Sequence, residues 1–168
     1  MVNKNISKIC IIGMPGSGKS TIGRALSEHL NFNFYDTDEV IEFNSKSKIR
    51  DIFNNEGEEY FRKLERSIFK KLILNKNVVI STGGGIVLKN KDLLNQTFNI
   101  YLRCDIKTLI NRTSRNKNRP LLKDNVEKNI KILFNLRKDI YNKVSDLNID
   151  ATSNTQNTIR TILDNLKI

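Results

Sequence analysis

The sequence feature that most constrains the fold is a glycine-rich segment near the N-terminus. It reads Gly13-Met-Pro-Gly16-Ser-Gly18-Lys19-Ser20 and matches the G-x-x-x-x-G-K-[ST] pattern of a phosphate-binding loop. The apolar run 8–12 before it predicts a strand, and residues 22–30 after it have helical spacing. A strand, a tight turn and a helix in this order begin an α/β unit, so we expect a parallel sheet flanked by helices.

The residues of this phosphate loop suit the binding of a nucleoside triphosphate. Glycines let the backbone curl so that successive N–H groups point at a phosphate, and the following helix adds its positive end. We expect Lys19 to reach the β- and γ-phosphates and the Ser20 hydroxyl to bind Mg²⁺. The predicted ATP-binding residues here are Gly16, Ser17, Gly18, Lys19, Ser20 and Thr21.

Strands and amphipathic helices alternate through the rest of the chain. Runs 33–35, 77–80, 98–102 and 147–150 predict four more strands, and residues 57–74 and 125–143 predict helices. The second helix is predicted from apolar residues at Ile130, Leu133, Leu136 and Ile140. With no repeat or linker in 168 residues, we expect one α/β domain spanning 1–168.

The formal charge of +11 is concentrated between residues 103 and 143, where 12 basic residues stand against 4 acidic ones. This pattern fits a polyphosphate partner, although Asn, Lys and Ile recur throughout and a compositional bias would also explain most of the lysines. Aromatic residues in the stretch are few, namely Phe134 and Tyr141 on apolar helix positions, so we expect no nucleic-acid partner.

Apolar segments and cysteines give expectations about location. No stretch approaches the ~20 apolar residues of a membrane span, and the first eight residues lack the apolar run of a signal peptide. We therefore expect a cytoplasmic monomer without a membrane partner. Cys10 and Cys104 are too few for a disulfide framework, and we expect both to be buried.

Further motifs along the chain resemble those of the shikimate kinase family. They are Asp36-Thr-Asp38, Gly57-Glu-Glu-Tyr-Phe61-Arg62-Lys-Leu-Glu65, Gly83-Gly84-Gly85, Arg119-Pro-Leu-Leu122, and Leu136-Arg137 with Tyr141. The resemblance covers almost the whole chain. It implies a three-layer P-loop kinase fold with a five-stranded parallel sheet of order 2-3-1-4-5, acceptor-binding helices at about 38–75 and a mobile lid at about 112–124.

The activity that the resemblance implies is transfer of the γ-phosphoryl group of ATP to the 3-hydroxyl of shikimate. The products are shikimate 3-phosphate and ADP, and the reaction belongs to chorismate and aromatic amino acid biosynthesis. Shikimate and ATP would then be the small-molecule partners, with Mg²⁺ as cofactor.

Two carboxylates follow the second predicted strand, one placed toward the nucleotide and the other toward the acceptor. We expect Asp36 to hold Mg²⁺ through water and Asp38 to orient or deprotonate the acceptor hydroxyl. An aspartate at the start of a helix can also be a cap, and this alternative stays open for both.

Guanidinium groups suit a carboxylate acceptor because they can bind it through two parallel hydrogen bonds. The resemblance selects Arg62 and Arg137, and Glu65 is spaced to fix Arg62 through an i,i+3 contact; an ordinary surface ion pair is the alternative. Three consecutive glycines would let backbone N–H groups approach the acceptor. The predicted acceptor-binding residues are Asp38, Arg62, Gly83, Gly84, Gly85 and Arg137.

The resemblance assigns the remaining site residues to the lid and the adenine side. Arg119 would neutralise charge on the transferred phosphoryl group, and Arg112 would stack on adenine. Residues 152–156, including Gln156, would form the far wall of the adenine pocket, although this loop lacks the proline that many relatives carry. Lys19, Asp38 and Arg119 are the predicted catalytic residues.

Two alternative functions follow from the same sequence. One is a kinase of the same fold acting on gluconate or a nucleoside monophosphate, which the combination of Asp38, Arg62, Gly84 and Arg137 disfavours. The other is an ATP- or nucleic-acid-binding module, which the net charge suggests and the sparse aromatic residues disfavour.

Overall fold

The structure, a computed structural model, describes residues 6–114 and 125–167. The strands are β1 (Lys8–Ile12), β2 (Asn33–Asp36), β3 (Val78–Ser81), β4 (Phe98–Arg103) and β5 (Leu147–Asp150). The helices are α1 (Lys19–Leu30), α2 (Thr37–Ser45), α3 (Ile49–Asn55), α4 (Gly57–Leu72), α5 (Lys91–Leu94), α6 (Ile106–Ser114), α7 (Val126–Val144) and α8 (Thr155–Leu166), with a 3-10 turn at Ile86–Leu88. This alternation confirms the predicted α/β class.

The five strands form one parallel sheet of order β2-β3-β1-β4-β5, as predicted. Ile11 lies in register with Ser81 on one side and Ile100 on the other, and Ser81 in turn pairs with Asp36. The carboxyl ends of the strands therefore lie along one edge. In open parallel sheets this edge is where ligands bind.

The central strands are apolar because helices cover both faces of the sheet. Strands β1, β3 and β4 are almost wholly buried, which accounts for the continuous apolar runs of β1 and β3, where an alternating pattern would mark a half-exposed strand. On the acceptor side, α4 packs against both α2 and α3, while α7 packs against β4 and α6. Both cysteines are buried and free, as expected.

Helices α5, α6 and α8 were not predicted from the sequence, and one predicted core residue is wrong. Helix α5 has only four residues. Helices α6 and α8 do have amphipathic spacing, for example Ile159, Ile162 and Leu166 on α8, and the sequence reasoning overlooked it. Leu136 is 64% exposed, although its spacing had placed it on the buried face of α7. That face instead buries Ile130, Arg137, Tyr141 and Val144. The charged Arg137 is therefore buried where the apolar pattern predicted that the adjacent Leu136 would be.

Residues 112–114 are the last turn of α6 and were predicted to begin the lid. Buried Leu109 and Thr113 hold this turn against the fold. Residues 115–124, the rest of the predicted lid, lie outside the described residues. Within the described ranges, no helix has both the length and the apolar composition to cross a bilayer.

We expect Phe69→Ala to lower the free energy of unfolding by about 3–5 kcal/mol, because this fully buried ring leaves a cavity in the core under α4. Phe43→Ala is the matched control, since that ring is 83% exposed and its loss should change stability by about 0.5 kcal/mol at most. Urea unfolding monitored by circular dichroism gives both values. Equal losses in the two variants would contradict the assigned core.

Candidate active site

The phosphate loop connects β1 to α1 and takes a backbone shape that only glycine adopts readily. Gly16 and Gly18 have φ angles of 84° and 91°. A Cβ built on Gly16 would lie 2.5 Å from the Thr113 hydroxyl oxygen and 3.1 Å from the carbonyl oxygen of Leu109. Helix α6 therefore packs directly against the loop and supports its curvature.

Lys19 begins α1 and lies over the phosphate loop. Its Nζ donates to the carbonyl oxygen of Met14 at 2.9 Å, and the residue is only 7% exposed. The first bond of α1 runs from the Ile22 N–H to the Gly18 oxygen at 2.9 Å, so the amides of the preceding turn lie at the open end of the helix. A buried ammonium and a helix N-terminus together make this loop attractive to anionic phosphates.

Ser20 and Asp36 form an oxygen-rich pair beside the loop. The Ser20 hydroxyl donates to Asp36 Oδ2 at 2.5 Å and lies 3.4 Å from the Ser81 hydroxyl. The other carboxylate oxygen of Asp36 accepts from the Asp38 N–H at 2.9 Å and so caps α2. Asp36 is thus a helix cap through one oxygen and faces the phosphate loop through the other.

Gly83 lies where the carboxyl groups of two helices meet. A Cβ built on Gly83 would be 2.9 Å from Asp38 Oδ1 and 2.9 Å from Glu65 Oε1. The absence of a side chain therefore makes room for both carboxyl groups. The sequence analysis predicted that backbone N–H groups of residues 83–85 would approach the acceptor. The Gly83 N–H instead donates to the Thr37 hydroxyl at 3.0 Å.

Gly85 makes room for the guanidinium of Arg62, which a Cβ at this position would overlap. Arg62 is 7% exposed and donates to Glu65 Oε2 at 2.8 Å and to Glu58 Oε1 at 3.0 and 3.2 Å. Burial alone would lower the pKa of Arg62, but the ion pairs with Glu65 and Glu58 outweigh it and raise that pKa. The predicted Arg62–Glu65 contact is confirmed, and it is a buried pair rather than a surface one.

Gly84 binds the second predicted arginine, Arg137, next to Arg62 and Gly85. The Gly84 carbonyl oxygen accepts from Arg137 Nη1 at 3.0 Å and from the Tyr141 hydroxyl. A Cβ on Gly84 would lie 2.9 Å from Cδ of Pro15 in the phosphate loop. Residues 83–85, the glycine run, therefore gather the predicted acceptor residues beside the nucleotide loop. We call Asp38, Arg62, Glu65 and Arg137 the acceptor cluster.

Glu65 is the most strongly perturbed carboxyl group of the acceptor cluster. It is completely buried, and its Oε1 has no hydrogen-bond partner within residues 6–114 and 125–167. Burial raises the pKa of Glu65 from 4.5 to about 7, although the adjacent Arg62 opposes the shift. A neighbouring carboxyl group, Asp38, raises this pKa further, and Arg137 lowers it.

Arg112, which the sequence predicts to stack on adenine, contacts the loop after β5. Its Nη1 donates to the Ala151 oxygen at 3.1 Å and to Cys104 Sγ at 3.5 Å, and its Nη2 reaches the Thr152 oxygen at 3.4 Å. The guanidinium therefore ties α6 to the loop after β5. Gln156 is exposed in the first turn of α8, and Thr21 is exposed on α1. Arg119 lies outside the described residues.

Some residues of the site were missed by the sequence reasoning. Glu58 binds the same guanidinium as Glu65, and its i,i+4 spacing from Arg62 could have revealed it. Thr37 and Thr113 support the glycine run and the phosphate loop through contacts distant in sequence, for which no local pattern exists. Tyr141 was noted as part of a motif but given no role.

A phosphate loop at the end of the central strand, with buried carboxyl and guanidinium groups beside it, defines a P-loop kinase of small molecules. The family model for shikimate kinase matches residues 15–167. The chain therefore belongs to the shikimate kinase family.

Individual relatives agree with this assignment along most of the chain. The shikimate kinase of Sulfurihydrogenibium sp. strain YO3AOP1 is 39% identical over 157 residues, which cover 92% of this chain and 93% of the relative. The shikimate kinase of Persephonella marina is 43% identical over 136 residues, covering 79% and 82%. The structure of shikimate kinase from Acinetobacter baumannii in complex with shikimate is 33% identical, with a TM-score of 0.89 and coverage of 95% and 94%.

We expect Glu65 to make the free energy of unfolding fall as the pH rises from about 4.5 to 7. In this window the unfolded chain ionises Glu65 freely, whereas the folded protein binds the Glu65 proton more tightly, so deprotonation favours unfolding. The full difference is on the order of 3 kcal/mol and should be absent in Glu65→Gln.

Urea unfolding of both proteins between pH 4.5 and 8 measures this difference. Glu59→Gln is the control, because Glu59 lies on the same helix, is exposed, and pairs only across the surface with Lys63 at 3.3 Å. This control should retain the pH dependence of the wild type. If Glu65→Gln also retains it, Glu65 is ionised across this range.

Proposed function

We propose that this chain transfers the γ-phosphoryl group of ATP to the 3-hydroxyl of shikimate, giving shikimate 3-phosphate and ADP. The observation that carries the proposal is the convergence of Asp38, Arg62 and Arg137 on the glycine run, directly beside the phosphate loop. Membership of the shikimate kinase family, whose structure from A. baumannii is a complex with shikimate, supports this choice of acceptor.

Two buried guanidiniums favour an acceptor that carries a carboxylate. Arg62 already has Glu65 and Glu58 as partners. Arg137 is 4% exposed, and among the residues that the structure describes its guanidinium donates to the neutral Gly84 carbonyl oxygen. A buried charge needs a partner of opposite sign. The carboxylate of shikimate would supply it, which a neutral hydroxyl acceptor could not do.

Asp38 is the residue that we assign to the reacting hydroxyl. It lies in the first turn of α2, with Oδ1 at Gly83 and its backbone N–H held by Asp36. In this position the carboxylate can accept the hydroxyl proton and point the oxygen at the γ-phosphorus. Because phosphoryl transfer depends chiefly on positioning and charge neutralisation, orienting the hydroxyl is as important as removing its proton.

Lys19 and the N-terminus of α1 are proposed to hold the phosphates. Binding of ATP would exchange the Lys19 contact with Met14 for phosphate oxygens, a short movement for a flexible side chain. We assign Arg119 to the charge that develops on the transferred group, and Arg112 with Gln156 to the adenine side.

The oxygen donors Ser20 and Asp36 fit Mg²⁺ in its usual nucleotide-bound form. Mg²⁺ prefers one or two protein oxygens together with phosphates and water, rather than a cage made only of protein ligands. In the described ranges no three His, Cys, Asp or Glu side chains form such a cage. When bound, Mg²⁺ would neutralise phosphate charge; the Ser20 hydroxyl would bind it directly and Asp36 through water.

A coupled ADP-release assay tests the proposed function. Turnover with ATP and Mg²⁺ should be at least 100-fold faster with shikimate than with gluconate, AMP or quinate. AMP has no carboxylate for Arg137, whereas gluconate and quinate carry one but present their hydroxyl groups to Asp38 in a different geometry. Lys19→Ala is the control for contaminating kinases, and it should be inactive while remaining folded. Faster turnover of another acceptor would overturn the proposal.

We expect Asp38→Asn and Arg137→Ala to fail in different ways although both residues face one acceptor. Asp38→Asn keeps the shape but loses the charge on the attacking hydroxyl, so kcat should fall roughly 100-fold or more while the KM for ATP hardly changes. Arg137→Ala removes the proposed contact with the shikimate carboxylate, which is made both in the bound substrate and in the transition state. It should therefore chiefly raise the KM for shikimate, about 30-fold or more.

Steady-state kinetics with both substrates varied separate these effects. Wild-type kcat in Asp38→Asn, or a normal shikimate KM in Arg137→Ala, would mean that the acceptor site has been assigned to the wrong residues.

We expect Asp36→Asn to raise the Mg²⁺ concentration that gives half-maximal activity by roughly 10-fold or more, because it removes a charge behind the metal. The amide oxygen can still accept the Asp38 N–H and cap α2, so the fold should persist. Asp139→Asn, at an exposed position on α7, is the control. An unchanged Mg²⁺ requirement would exclude Asp36 from the metal site.

A further inference from the structure

Tyr141 has a buried hydroxyl that the proposed chemistry does not use. The residue is 0% exposed on the inner face of α7, and its hydroxyl donates to the Gly84 carbonyl oxygen. Burial raises the pKa of Tyr141 above its ordinary value, so the hydroxyl stays protonated and remains a donor at physiological pH. The hydroxyl therefore donates a hydrogen bond to the centre of the glycine run throughout the physiological pH range.

The Gly84 peptide lies between the two substrate sites. Its carbonyl oxygen also accepts from Arg137 Nη1 at 3.0 Å. On its other side, a Cβ on Gly84 would meet Cδ of Pro15 at 2.9 Å and the Pro15 nitrogen at 3.4 Å. One peptide unit thus separates the phosphate loop from the guanidinium that we assign to the acceptor carboxylate.

The glycines on either side of this peptide are held by the fold, since the Gly83 and Gly85 oxygens accept from the Ile86 and Leu88 N–H groups. The Gly84 carbonyl itself is held by Arg137 and Tyr141. Three successive glycines have more backbone freedom than any other tripeptide, so local sterics alone do not fix the direction of the Gly84 carbonyl. Arg137 is a poor restraint by itself, since its side chain has many rotamers. A tyrosine has only two side-chain torsions and can hold the carbonyl more firmly.

The ring of Tyr141 is itself anchored to the sheet. It stacks on Tyr101 of β4, with ring centroids 4.9 Å apart and planes at 22°. Tyr101 lies in register with Ile12, the last residue of β1 before the phosphate loop. The stacked rings therefore fix the Tyr141 hydroxyl relative to the end of β1, from which the phosphate loop continues.

We propose that Tyr141 is a positioning residue of the acceptor site, whose hydroxyl fixes the Gly84 carbonyl and thereby sets the position of the Arg137 guanidinium relative to the phosphate loop. The inference rests on the proposed function, in which Arg137 binds the acceptor carboxylate. Tyr141 acts through Arg137 and does not itself touch the substrate.

Tyr141→Phe tests this role because it keeps the stacked ring and removes only the hydroxyl. We expect the KM for shikimate to rise roughly 3- to 10-fold, the effect of one lost hydrogen bond, while the KM for ATP stays within about twofold. Tyr101→Phe is the matched control. It keeps the same ring stack and loses a hydroxyl that makes no bond to the glycine run, so both KM values should stay within about twofold of the wild type.

A double-mutant cycle distinguishes positioning from general destabilisation. In the Arg137→Ala background, Tyr141→Phe should change kcat/KM for shikimate less than twofold, because the group through which it acts is gone. A further 3- to 10-fold loss in that background, or equal increases in both KM values in the single variant, would assign Tyr141 a purely structural role and overturn the proposal.

Gly84→Ala provides an independent test if Tyr141→Phe folds poorly. The added methyl group would press on Pro15 and displace the same carbonyl while leaving the tyrosine intact. We expect a rise in shikimate KM at least as large as in Tyr141→Phe, and a normal KM would contradict the inference. If the wild type turns over no shikimate, the proposed function fails and this role fails with it. Wild-type turnover with an unaffected Tyr141→Phe variant rejects this role alone.

Discussion

The arrangement of the site depends on the missing side chains of residues 83–85. At the carboxyl edge of the sheet, two carboxyl groups converge on Gly83, an arginine fills the space at Gly85, and the phosphate loop presses on Gly84. A methyl group at any of the three would displace a charged side chain or the loop. The donor and acceptor sites can lie this close only because the backbone between them carries no Cβ atoms.

Charge explains why such a cluster favours an anionic acceptor. Arg62, Glu65 and Arg137 are all buried, and removing one partner of such a set usually leaves an uncompensated charge. Arg137 is buried against the neutral Gly84 carbonyl, so a carboxylate ligand would supply a charge of opposite sign.

Much of the fold follows from local patterns, whereas the geometry of the site does not. The phosphate loop, the five strands and helices α4 and α7 are visible in the sequence because periodicity and glycine spacing are local signals. The exposure of Leu136 was mispredicted because Arg137 takes the buried position beside it, and a hydrophobicity pattern cannot assign a buried charge. The meeting of Asp38 and Glu65 at Gly83 depends on how α2 and α4 pack, and nothing in the intervening sequence encodes that contact locally.

A short path of packing contacts and hydrogen bonds connects the phosphate loop to the predicted acceptor residue Arg137. Pro15 contacts Gly84, the Gly84 carbonyl binds Arg137 and Tyr141, and Tyr141 stacks on a strand adjacent to β1. In-line transfer requires the attacking oxygen to lie close to the γ-phosphorus, and an error of about 1 Å can cost roughly 100-fold in rate. Because Tyr141 stacks on Tyr101 of β4, which lies in register with Ile12 of β1, the Gly84 peptide is tied through these two strands to the phosphate loop that follows β1.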